Sequence, residues 1–423
     1  MKYTKLLFSL LIAFGLTMPL AAQAKSLGVG DPDDDAPIAA LDMSKLSNPA
    51  DNITTPEKAE LGMLLYFDPR LGGDASVSCA TCHNPKDGWA FGDSICRGYP
   101  GTVHWRNCQT VVNTGFYKKL FWAGSTPSLE SQVFSAANGG VAGNGERDVM
   151  EARLEMIPEY VKRFKQVFGR PLPQIQDFAR AVAAFERTLN DPNTPFDQYM
   201  RGDKKAMTKA AKRGMGLFNG KANCIECHNG HFFTDEKYYN IGVGAPPEFT
   251  ESGMQQISFR FEIFAKGTKE KDYRTLKDDP GAYYRGKDPA MKGKWRTPTL
   301  RYLTFTPPYF HNGTAYTLEE VVDFYNNGGG ENHFTKTAGN KTKILKKLGL
   351  SDGEKGDLVA FLESLTSKVQ VRNDLVQSNP TLPSYAPLAN DKYTVLPPSA
   401  KVPFYHYPNG KKAAFVSISV AGK

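Results

Sequence analysis

Cys79-Ala80-Thr81-Cys82-His83 and Cys224-Ile225-Glu226-Cys227-His228 are two copies of one frame, C-x-x-C-H, placed 145 residues apart. The spacing suits one chemistry closely: two thiols reach the two vinyl groups of a porphyrin, and the adjacent histidine falls beneath the iron. Zinc would need further Cys or His pairs at finger spacing, and the chain has none. Each frame follows a helix-like segment, and Leu61-Gly62-x-x-Leu65-Tyr66-Phe67 and Arg213-Gly214-x-x-Leu217-Phe218 look alike. The repetition predicts two cytochrome c-like domains, each carrying one covalently bound haem c.

The remaining cysteines are Cys96 and Cys108. Their environment depends on the compartment, which the N-terminus addresses: Lys2 and Lys5, an apolar run from Leu6 to Leu20, then Ala22-Gln23-Ala24. That pattern reads as a signal peptide, residues 1–24, and predicts export to the periplasm with no membrane span in the mature chain. In an oxidising compartment Cys96 and Cys108 are expected to pair and to staple the loop that contains His104. The net charge is +8 over 423 residues, and +6 without Lys2 and Lys5. That excess is too small for a nucleic-acid footprint, so no nucleic-acid partner is expected. A 40% hydrophobic content excludes disorder as a reading of the whole chain.

Helical periodicity dominates. Thr54-Thr55-Pro56-Glu57 opens a helix that runs to Phe67, and further helices are expected over 128–137, 148–168 with a break at Pro158, 174–189 and 208–218. The fold class is therefore mainly α: two haem domains with long loops and an irregular C-terminal tail. The expected parts are an N-terminal arm (25–50), a first domain (51–200), a second domain (201–370) and a Pro/Tyr-rich tail (371–423). The tail should contain no helix and should end in a strand over 414–420. The polar stretch Gly242 to Lys294 is expected to be loops facing a partner.

Further elements carry a resemblance. Phe121-Trp122-Ala123-Gly124, Trp295-Arg296-Thr297-Pro298-Thr299-Leu300-Arg301 and Pro307-Pro308-Tyr309-Phe310-His311-Asn312-Gly313, in this order around the two haem frames, resemble the bacterial di-haem cytochrome c peroxidase and MauG superfamily. The likeness covers most of 50–365, while the 242–294 stretch and the tail depart from it. It implies that the haem at Cys79, Cys82 and His83 meets hydrogen peroxide and that the haem at Cys224, Cys227 and His228 relays electrons. It also implies an interdomain Ca²⁺ held by Asn107, Thr306 and Pro308. Fourteen residues beyond His311, where relatives place the second axial ligand of the C-terminal haem, stands Tyr325. Peroxidases carry methionine there and MauG-type enzymes tyrosine, so the chain looks like the MauG-like branch. Leu318, Val321, Val322 and Tyr325 share one helical face, so an ordinary core tyrosine is the competing reading, and His333 is the competing ligand.

Trp122 falls where the family places a tryptophan between the haems, as an electron relay. The family's catalytic glutamate is expected twenty residues beyond it, where this chain has Ala142; Glu146 is the nearby candidate for the distal acid-base role. His104 is a distal ligand of the first haem, an exposed histidine or a catalytic residue, and His231 and His406 read as surface residues. The expected activity is peroxide-driven oxidation of a periplasmic partner, either a small redox protein or a protein with an oxidisable tryptophan. The reading from another class is a non-enzymatic di-haem electron carrier with both irons six-coordinate.

Overall fold

Thr55 caps helix α1 (Pro56–Phe67): its side chain accepts from Lys58 N at 3.3 Å, Pro56 takes the first turn, and Asp68-Pro69 ends the helix. Leu61, Gly62, Leu64 and Leu65 are buried along it. The computed structural model describes residues 37–385 apart from Pro100. The signal peptide, the tail strand over 414–420 and His406 lie outside the described residues.

The helices that follow are α2 (Leu129–Ala137), α3 (Arg147–Glu155), α4 (Pro158–Phe168), α5 (Ile175–Glu186), α6 (Pro195–Met200) and α7 (Lys209–Asn219). Beyond them come α8 (Gly253–Ala265), α9 (Leu318–Asn326), α10 (Asp352–Glu363) and α11 (Asn373–Gln377). Among the described residues the sheet is one antiparallel ribbon, β1 (Tyr238–Tyr239) against β2 (Trp295–Arg296), with Tyr238 opposite Arg296. The protein is mainly helical, and no described helix is long and apolar enough to cross a membrane. Residues through Pro383 form one compact unit; of the second, which starts at Ser384, only Ser384 and Tyr385 are described.

Two hydrophobic cores repeat one packing device. In the first, α1 crosses α5 so closely that a Cβ on Gly62 would stand 1.9 Å from the Ala181 carbonyl oxygen. In the second, α7 crosses α10, and a Cβ on Gly214 would stand 1.9 Å from the Asp357 carbonyl oxygen. Four residues after each glycine an aromatic ring meets a phenylalanine on the crossing helix: Tyr66 and Phe185 at 5.3 Å, Phe218 and Phe361 at 5.0 Å. The repeated Gly-x-x-Leu-aromatic pattern is thus a crossing-point signature. Replacing Gly62 or Gly214 by alanine should destabilise the fold by about 1–3 kcal/mol, because the methyl meets rigid backbone and the helix-propensity gain is smaller. Urea denaturation of each variant checks this.

Two expectations are corrected. The 242–294 stretch is not merely loops: it contains α8 and single turns at Glu248–Glu251, Glu270–Tyr273 and Tyr283–Gly286. It packs Phe249, Phe259, Ile263 and Tyr284 on Trp105 and Val141. Its pattern hid it, because Met254, Ile257, Phe261 and Phe264 face outward while Gln255 and Ser258 are buried. The tail is not helix-free either. Before its first proline, Pro380, the chain forms α11 and returns to the first core: Leu375 is buried, and Trp89 Nε1 donates to the Val371 carbonyl at 2.9 Å.

Candidate haem and peroxide site

Ser78 opens the turn Cys79–Cys82, with its N–H donating to Thr81 Oγ1 at 3.0 Å, and His83 N closes it on the Cys79 carbonyl at 2.9 Å. The second motif begins at Asn223, in the left-handed conformation, and His228 N donates to the Cys224 carbonyl at 3.0 Å. These turns put two thiols and one imidazole of each motif on one wall. His83 Nδ1 lies 2.8 Å from the Gln109 carbonyl, and His228 Nδ1 lies 3.2 Å from that of Phe233. With Nδ1 donating, Nε2 keeps the lone pair that binds iron. Burial pushes His83 down to about 4 and also lowers His228, so both rings are neutral, the ligating form. Burial raises all four motif thiols, to about 11 at Cys82 and about 12 at Cys224 and Cys227.

Both motifs open into one continuous, largely apolar cavity, lined by Cys79, Cys82 and His83 at one end and Cys224, Cys227 and His228 at the other. The donor set fits two covalently held haem groups: a pair of unoxidised thiols and one oriented imidazole at each end. Trp122 also lines this cavity. Its Nε1 donates to the Asn107 carbonyl at 2.8 Å, its carbonyl accepts from Arg296 N at 3.1 Å, and its ring meets His311 edge-on at 6.5 Å. Asn107, Thr306 and Pro308 line the same cavity. Asn107 is buried, and its Nδ2 donates to the Ser94 carbonyl at 3.2 Å, which leaves Oδ1 for another partner.

At the second motif, Tyr325 lines the cavity with Cys224 and Cys227, while His333 begins a separate short helix, His333–Ala338, off the cavity wall. The structure therefore brings Tyr325, and not His333, to the second site. Burial raises the Tyr325 hydroxyl, and among the described residues no hydrogen bond to it is found. At the first motif, His104 is on the wall and stacks on Trp105 at 4.2 Å, with Nδ1 accepting from Arg106 N at 3.4 Å. It is not an exposed histidine, and burial pushes it down to about 4, with the Arg106 cation acting in the same direction. Cys96 and Cys108 are joined, and Cys82 Sγ lies within 4.8 Å of both their sulfurs. His231 is half-buried, and its Nδ1 accepts from Asp42 N at 3.4 Å.

Glu146 does not reach this site. It is the exposed N-cap of α3, its carboxylate accepting from Val149 N at 3.1 Å, because the Gly-rich run before it leads the chain out to begin a helix. Ala142 does line the cavity. Three carboxylates also line it, Asp68, Glu186 and one that sequence reasoning missed, Glu262 on α8. Its signal was a single acid within Ile257-Ser258-Phe259-Arg260-Phe261-Glu262-Ile263-Phe264, a run too apolar for a surface helix to carry without reason. The segment is held in place by a buried two-pronged pair, Arg106 to Asp279 at 2.7 and 2.8 Å, and Arg106 also lies over the Trp295 ring at 4.7 Å.

Comparison with known proteins agrees with this geometry. A family model of di-haem cytochrome c peroxidase matches residues 56–205. The chain is 51% identical over 344 residues to cytochrome-c peroxidase IdrP1 of Denitromonas iodatirespirans, covering 81% of this chain and 89% of that protein. It is 33% identical to the methylamine utilization protein MauG of Methylorubrum extorquens, over 76% of this chain and 81% of the relative. Among solved structures, a MauG-like protein associated with microbial copper homeostasis superposes with a TM-score of 0.66 at 26% identity, covering 81% of this chain and 96% of that one. With two haem frames on one cavity, and relatives of this identity along most of its length, the chain belongs to the di-haem cytochrome c peroxidase and MauG family of oxidoreductases.

Proposed function

We propose that this protein reduces hydrogen peroxide in the periplasm with electrons drawn from a small redox protein. The observation that carries the reading is the single cavity lined by both C-x-x-C-H motifs and by Trp122. When bound, the haem at His83 would supply the iron at which peroxide is cleaved, and the haem at His228 the store and relay of electrons. The chain's own contributions are to hold both imidazoles neutral, to line the path with apolar residues that exclude water, and to set an indole where an electron must cross. Asn107 Oδ1 and the carbonyls of Thr306 and Pro308 are hard oxygen donors suited to a Ca²⁺ that fixes the two halves. Identity to a relative named a cytochrome-c peroxidase supports a redox protein as donor. The test is to mix the holo protein with a reduced small c-type cytochrome and peroxide: cytochrome oxidation in the ratio of a two-electron reduction is expected, and none would refute the reading.

Tyr325 favours a second reading, removal of electrons from an aromatic side chain of a partner protein. A phenolate is an anionic, hard ligand that favours ferric iron and higher oxidation states. Tyr325→Met should raise the potential of the second haem by on the order of 0.1 V or more and leave the first haem's signals in place. Spectroelectrochemical titration with low-temperature EPR reads both.

A further inference from the structure

We propose that Glu262 is the residue that moves the proton during peroxide cleavage at the first motif, a role for which α8 brings a carboxylate in from outside the cytochrome-like core. The inference rests on the peroxide reading and deepens it. Breaking an O–O bond heterolytically requires a group that takes the proton from one peroxide oxygen and delivers it to the other. Glu146 faces solvent and position 142 is alanine; of the other carboxylates lining the cavity, Asp68 is paired with Arg70 and bonded by Tyr160, and Glu186 comes from α5 beside Cys79, whereas Glu262 comes from α8, which touches the Gly-rich loop at Gly140.

Three observations put Glu262 in that position. It lines the same cavity as Cys79, His83, His104 and Ala142. The preceding residue touches the Gly-rich loop directly: a Cβ built on Gly140 would meet the Phe261 ring at 2.9 Å, so α8 lies across the segment that carries Ala142. Third, the carboxylate is held: Tyr284 donates its hydroxyl to Glu262 Oε2 at 2.9 Å, and Arg106 packs on the Tyr284 ring at 5.1 Å while paired to Asp279.

Phe259 and Ile263 anchor α8 in the core, with Gln255 and Ser258 buried and Glu262 half-buried beside them, while Ile257 and Phe264 are 62% and 63% exposed. In the proposed step Glu262 accepts a proton from the peroxide oxygen nearer His83 and gives it to the far oxygen. That oxygen leaves as water when the O–O bond breaks. The whole reduction consumes two electrons, from the reduced redox protein, and two protons, and yields a second water.

Glu262→Gln tests this, because glutamine keeps the acceptor for Tyr284 while losing the base. The holo variant should react with peroxide roughly 100-fold more slowly or worse. It should also bind cyanide at least roughly 10-fold more slowly, since hydrogen cyanide must lose a proton on binding. Its melting temperature should be unchanged. Glu146→Gln should leave both rates as they are, and adding Ala142→Glu to Glu262→Gln should restore at least part of each. Peroxide and cyanide rates of Glu262→Gln within twofold of the parent overturn the proposal, as does a loss confined to Glu146→Gln. A parent protein inert to peroxide, with cyanide binding still slowed in Glu262→Gln, sinks the peroxide reading and keeps Glu262 as the proton carrier.

Discussion

Alanine in place of Arg301 should cost the folded protein about 3–5 kcal/mol, read as a fall in urea midpoint and melting temperature. Arg301 and Asp197 are wholly buried and face each other two-pronged, Nη1 to Oδ2 at 3.0 Å and Nη2 to Oδ1 at 2.9 Å. The same carboxylate accepts from Leu41 N at 2.8 Å and from Thr194, while Arg301 Nε donates to the His231 carbonyl at 2.8 Å. Removing the guanidinium leaves a carboxylate buried without its counter-charge, and releases the N-terminal arm, α6 and the loop after β2 together. Most of the expected loss is that stranded charge. The double replacement Asp197→Leu with Arg301→Met should therefore recover much of it. If the double variant is as unstable as the single one, packing and not charge accounts for the effect.

A second large effect should appear only as pH changes. Glu186 is 3% exposed, lines the cavity, and has one oxygen, Oε2, without a hydrogen-bond partner. Burial pushes its carboxyl from 4.5 up to about 8, against the pull of Arg187 and with some help from Glu130. The folded state then holds a proton that the unfolded chain releases, so stability falls as pH rises from about 4.5, and the loss is complete above about 8. The loss is on the order of 5 kcal/mol by linkage. In Glu186→Gln that decline should vanish: the variant should match the parent near pH 5 and exceed it near pH 8.5 in thermal melts. A stability difference that does not change with pH would refute the assignment.

The haem ends of the site were legible because covalent attachment dictates an invariant frame, and C-x-x-C-H at 79–83 and 224–228 admits little else. The helical repeat was legible through Gly62 and Gly214, although only the crossing geometry explains why glycine stands there. Periodicity alone puts Tyr325 on an apolar helical face; its place at the second motif, about 100 positions away, came from the family resemblance and not from the local pattern. The distal side of the first motif was misread for a different reason. A carboxylate was sought near Ala142 along the chain, whereas Glu262 reaches the same cavity from α8, a helix that exposes Met254, Ile257, Phe261 and Phe264 and so blurs the pattern by which surface helices are recognised. Val371 to Gln377 was misjudged because the prolines after it coloured the whole tail, although none precedes Pro380.

The three sulfurs of Cys82, Cys96 and Cys108 gather within 4.8 Å of one another. Any free thiolate at Cys82 stands beside a disulfide it could attack, exchanging one S–S bond for another and freeing a different sulfur. Burial holds that thiol protonated, which slows the attack without abolishing it. Thioether formation ends it altogether, because an alkylated sulfur cannot become a thiolate. The first haem is thus a lock on the chain's covalent connectivity: until it is attached, three pairings are open to these sulfurs, and afterwards only one remains.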